Sequence, residues 1–94
     1  MKSEIFAQIL NIVANVTELT PEQILSKTKT DDLVAARSLF VHFCVARGIP
    51  SVSIAAFLGR RKTYSVNRYL NSYDSFYRSS LYFREMNGRI ESSL

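Results

Sequence analysis

Apolar residues recur along this chain at helical spacing almost from end to end, and no useful stretch alternates as a half-buried strand would. Ile5, Ile9, Ile12 and Val16 fall on one face, with Phe6, Leu10 and Val13 beside them. That spacing predicts a first helix over residues 3–16. Thr20-Pro21-Glu22-Gln23 then reads as a helix start. Thr20 serves as N-cap, Pro21 suits the first helical position, and Gln23 closes a capping box. The short second helix spans 21–25. Residues 26–30 are polar and unpatterned, so they form a loop. Thr30 caps a third helix, with Asp31 and Asp32 in the first turn, where the macrodipole favours acids. Leu33, Ala36, Phe40, Phe43 and Cys44 make its buried stripe, and Gly48 followed by Pro50 ends it.

Ser51 caps a fourth, short helix over about 51–58, with Ile54, Ala55, Phe57 and Leu58 as its apolar side and Gly59 as its stop. Thr63 starts a fifth helix whose inward face is Val66, Tyr69, Leu70 and Tyr73. A sixth segment, 74–87, carries Phe76, Tyr77, Leu81, Phe83 and Met86 before Asn87-Gly88 breaks it, and Ile90 to Leu94 should fray. The expected fold is all-α: one domain, residues 1–94, built as a compact bundle of five or six helices. Its expected core is Ile9, Val13, Leu25, Leu33, Phe40, Phe43, Ile54, Leu58, Val66 and Leu70.

The fourth and fifth helices, with a Gly-containing turn between them, form a helix-turn-helix candidate at 51–74. Ala55 sits where the two helices cross closely, and Gly59 sits where a left-handed backbone is needed. The fifth helix divides cleanly. Opposite its apolar face lie Thr63, Tyr64, Ser65, Asn67, Arg68 and Asn71. A recognition helix needs that division, because one face must hold it rigidly while the other offers donors and acceptors to base edges. Thr63, Tyr64 and Arg68 are the candidates for base edges. Arg60, Arg61, Lys62 and Ser65 are the candidates for phosphate, helped by the N–H groups of the helix start.

Charge sharpens this picture. The net charge is +4, but the first 46 residues carry four basic and five acidic groups, whereas 47–94 carry eight and three. Between Arg60 and Arg68 there are four basic residues and no acid. Such a local positive field suits a polyanion. A DNA surface further requires Lys27, Lys29 and Arg37 on the same side of the molecule as Arg60, Arg61, Lys62 and Arg68.

From Ile12 to Leu70 the chain resembles the C-terminal DNA-binding domain of the bacterial replication initiator DnaA, which has a Trp-repressor-like helix-turn-helix. The resemblance rests on Ile24-Leu25-Ser26-Lys27-Thr28-Lys29, on Leu33-Val34-Ala35-Ala36-Arg37, and on Ile54 through Val66 with its Gly59-Arg60-Arg61 turn. It implies this fold and a role in binding double-stranded DNA, in replication or transcription control, with the Lys27-Thr28-Lys29 loop near a minor groove. Lys62-Thr63 replaces the family's acid–histidine pair, Tyr64-Ser65 replaces its two threonines, Lys29 stands where an arginine is expected, and the ATPase region is missing. The resemblance therefore implies neither the initiator's recognition sequence nor its ATP-dependent activity.

Other chemistries fare worse. One cysteine excludes an intrachain disulfide and a Cys-only zinc site. His42 and Cys44 are two apart on a helix and do not face one another. There is no Gly-rich phosphate loop and no serine with a nearby base. No catalytic residue, metal, cofactor or small-molecule substrate is expected. The apolar runs are too short to span a membrane and the N-terminus does not read as a signal peptide. The expected location is cytoplasmic, on the nucleoid. Phe76, Tyr77, Leu81, Phe83 and Met86 exceed what one narrow helix face buries. Residues 74–87 should therefore pack back across the third helix or pair two copies as a homodimer. The alternative function is a protein–protein interaction module that kept the fold without DNA contact.

Overall fold

A computed structural model of the protein describes residues 2–59 and 62–94. These residues form six helices and no strand: α1 (Lys2–Thr17), α2 (Pro21–Leu25), α3 (Asp31–Ala46), α4 (Ser51–Phe57), α5 (Tyr64–Ser79) and α6 (Leu81–Ser93). The fold is the small all-α bundle that the apolar spacing predicts.

Helix α3 is the axis. It is buried on nearly every side between Leu33 and Cys44, the pattern of a helix enclosed by others. Helices α1 and α5 cover most of it, α2 and α4 cover the remainder, and α6 lies across α1 and α5. Phe6, Phe40 and Phe57 bring three helices together, with ring centroids 4.5 to 6.2 Å apart. Phe40 is fully buried there.

Local signals set several element ends. The capping box is formed: the Gln23 N–H donates to the Thr20 hydroxyl and the Thr20 N–H to the Gln23 side chain. Gly48 (φ 78°) and Gly59 (φ 73°) both take the left-handed conformation expected after a helix. Two caps differ from expectation. The Thr30 hydroxyl donates to the Asp32 carboxylate and does not accept a helix N–H. Ser51 lies inside α4, and the Pro50 carbonyl accepts from Ser53 and Ile54.

The larger differences are tertiary. The expected break at 74 lies instead at Ser80, whose extended backbone and hydroxyl cap α6 by accepting the Phe83 N–H. Asn87-Gly88 does not end α6, and Ile90 does not fray, because Phe83, Met86, Asn87 and Ile90 are all buried. That burial outweighs the roughly 1 kcal/mol a helical glycine costs. Leu25 is 37% exposed and Ile24 takes the core position. A five-residue helix has too few turns for spacing to choose its inward face. Leu70 is only half-buried. The segment 74–87 spans the end of α5 and most of α6; the residue just before it, Tyr73, stacks on His42 of α3 at 3.8 Å, while α6 itself packs on α1 and α5. Phe83 and Met86 are thereby used inside the chain.

Candidate nucleic-acid interface

The loop between α2 and α3 is shaped by one buried side chain. Arg37, on α3, is 0% exposed. Its Nε donates to the Ile24 carbonyl at 2.7 Å and its Nη1 to the Thr28 carbonyl at 2.7 Å. Its Nη2 reaches the carbonyls of Ser26 at 2.7 Å and Gln23 at 3.4 Å. Hydrogen bonds to a charged group contribute about 1.5–3 kcal/mol each, so these bonds hold the loop backbone firmly. The sequence places Arg37 among the residues that touch DNA. The structure corrects this: Arg37 does not reach the surface, because its donors are directed at backbone carbonyls. Lys27 and Lys29 are carried outward by the same loop and are exposed.

Helix α5 meets this loop across a groove of about 270 Å³. Ser65, Arg68, Tyr69 and Ser72 line the α5 side, one helical face at i, i+3, i+4 and i+7. Tyr64 stands at the mouth, 54% exposed. Lys29 forms the opposite rim, and Val34 and Arg37 form the floor. The described lining holds no carboxylate; its exposed cations are Lys29 and Arg68, with the buried Arg37 beneath. Asp32, close by in sequence, accepts from the Thr30 hydroxyl and from the Leu33 N–H. These bonds hold its carboxyl below the usual carboxylate range, the Thr30 bond most of all.

The structure thus brings Lys29, Tyr64, Ser65 and Arg68 to one groove. Lys62 and Thr63 are exposed just ahead of α5. Arg60 and Arg61 lie outside the described residues. Asn67 and Asn71 are exposed on the same helix, and Val66 is fully buried behind them. Tyr69, expected on the inward apolar face, also lines the groove, and Ser72 joins it without having stood out in the sequence. The signal was present in the four-residue step from Arg68 to Ser72, but without Lys29 opposite nothing marked that face as a wall.

At the other end of α5 the polar groups serve packing. His42 lies flat on Tyr73, at 3.8 Å and 4° between planes. Burial lowers the His42 pKa, while Asp74 and Glu91 oppose that shift. The Tyr73 hydroxyl donates to the Asn87 side-chain oxygen at 2.7 Å. Burial of the Cys44 thiol pushes its pKa up to about 12, which leaves it poor in thiolate. Among the described residues no helix is long and apolar enough to cross a membrane.

The chain matches no family model, no curated protein and no solved structure.

Proposed function

We propose that the protein is a sequence-specific double-stranded DNA-binding module, resembling the replication initiator's DNA-binding domain and acting in replication or transcription control. One observation supports this reading: a loop cation, Lys29, shares one groove with Tyr64, Ser65 and Arg68 of α5, and the described lining of that groove holds no carboxylate. Helix α5 enters the major groove by its N-terminal end. Thr63, Tyr64 and Arg68 approach base edges, while Ser65, Lys62 and Arg61 hold phosphate. Lys27 and Lys29 follow the backbone toward a neighbouring minor groove.

Phosphate contacts give sequence-independent affinity, and each adds about −0.9 to the logarithmic salt slope. With roughly four to six contacts the slope is on the order of −4 to −5. Selection from random duplex DNA at near-physiological salt tests binding and specificity together. Enrichment of a common site is the expected outcome. Failure to bind even at low salt would sink the reading.

A second reading draws on a different surface. Tyr77, Leu81 and Tyr82 are exposed around the α5–α6 elbow, which favours a protein-docking face there, for a second copy or another chain. Under that reading alone, duplex DNA would not compete with the partner.

A further inference from the structure

We propose that Arg37 is the positioning residue of the DNA interface: from inside the protein, it sets where Lys27 and Lys29 stand relative to α5. The proposal rests on the DNA reading above and assigns a role to a side chain that touches no ligand.

Three observations lead to it. The first is the pattern of bonds. Residues 26–30 belong to no helix. Ser26 supplies local tethers at the start of the loop: its N–H and hydroxyl donate to the Gln23 carbonyl, and its hydroxyl accepts the Thr28 N–H. The guanidinium adds bonds to the carbonyls of Gln23, Ile24, Ser26 and Thr28. Lys27 lies between two bonded residues and Lys29 follows one. Both lysines are therefore pinned at the backbone while their side chains stay exposed.

The second is the identity of the buried group. A fully buried arginine whose bonds all go to neutral carbonyls is an expensive way to fill a core, since an apolar side chain of similar volume commonly serves stability as well or better. What the apolar replacement lacks is the planar fork. Several parallel donors fix both the position and the orientation of the loop. The third is location. Arg37 floors the groove between Lys29 and Arg68, and α5 packs closely on the helix that carries it. Arg37 thus references the loop to the same support as Arg68. Loop and helix present one prearranged row of cations, and less ordering remains to be done on binding.

Arg37→Lys separates geometry from charge, because lysine keeps the charge but has no fork. The test measures anisotropy titrations of the full chain with random-sequence duplex DNA over a range of salt. It compares wild type, R37K, K29A, R68A and the double variants R37K/K29A and R37K/R68A. The expected R37K salt slope is shallower by about two units, as if two phosphates were released although no charge has been removed. K29A should cost little in the R37K background, a coupling of roughly two- to tenfold, while R68A keeps its full cost there. A wild-type slope in R37K, or an undiminished K29A cost, overturns the proposal. Should R37K fail to fold, the wild-type Arg37 Nε–H decides. Slow hydrogen exchange and a chemical shift unmoved by DNA are expected, and exchange at the rate of an exposed arginine overturns the proposal. If the wild-type chain binds no duplex at all, the DNA reading itself falls. If it binds and R37K matches it, only the role of Arg37 falls.

Discussion

Two hollows of nearly equal volume, about 270 and 250 Å³, lie along α5, and they differ in almost everything else. The upstream one is walled by Ser65, Arg68 and Ser72 and rimmed by Lys29. The downstream one is lined by Tyr73, Asp74, Tyr77 and Arg78, so its charges are of both signs. Its rings are already engaged. Tyr73 stacks on His42 and meets Phe83 edge-on. Arg84 lies over Tyr77 and donates to its carbonyl at 2.6 Å. Size therefore does not distinguish the two hollows; charge and ring contacts do. Under the proposed DNA reading, one helix carries a reading segment and an anchor segment. The anchor is tied to α3 through His42 and to α6 through Phe83 and Asn87.

Mutations at the two ends should therefore separate stability from recognition. The largest effect is expected at the anchor. Phe83→Ala removes a buried ring that stacks on Phe76, and it should lower unfolding free energy by about 3–5 kcal/mol in urea titrations. DNA affinity of the folded fraction should not change. Equal losses of stability and affinity would show that the ends are not separable. Tyr73→Phe is subtler, because it strands the buried Asn87 side chain. A cost of about 1–3 kcal/mol is expected in the same titration.

At the reading end the signature reverses. Tyr64→Ala or Arg68→Ala should reduce discrimination between duplex sites by ~1–3 kcal/mol for each base edge that the side chain reads, measured as a ratio of affinities for selected and scrambled DNA. Stability should stay within about 0.5 kcal/mol of wild type, as for other exposed positions. Lys29→Ala should instead weaken all sequences alike and flatten the salt slope by about one unit. If Arg68→Ala weakens all sites equally, Arg68 holds phosphate and does not read bases.

The smallest effect is a pH dependence at the anchor. The fold holds His42 below its ordinary pKa of 6.5, because burial disfavours the charged ring more than Asp74 and Glu91 favour it. Below about that pH the unfolded chain binds a proton more readily than the folded one. Stability should therefore be complete above the ordinary value and decline as the pH falls below it. Thermal unfolding of wild type and His42→Phe between mildly acid and neutral pH checks this. The variant should lose that part of the acid sensitivity.

The reading segment is more legible in the chain than the anchor is. The polar face of α5 follows from a 3.6-residue period, and the exposures of Tyr64, Asn67, Arg68 and Asn71 agree with it. The anchor's boundary does not follow. Nothing in residues 74–80 announces that α5 continues to Ser79, since its continuation depends on rings contributed by α3 and α6. The same holds for Arg37. On a helical wheel it is one more cation beside a basic loop, and only the fold reveals that the loop's carbonyls turn toward it.

The all-helical class, the capping box at Thr20, the helix stop at Gly48, the left-handed turn at Gly59 and the polar face of α5 were all determined by the sequence alone. Each depends on residues within a turn or two of one another, on spacing, a short side-chain reach or a glycine's freedom at positive φ. Tertiary structure decided the break at Ser80, the helical path through Gly88, the outward Leu25 and the burial of Arg37. Those outcomes turn on partners distant in the chain, such as Asn87 for Tyr73 and Thr28 for Arg37. The free energy of burying such groups together exceeds the local preferences that spacing and propensity express.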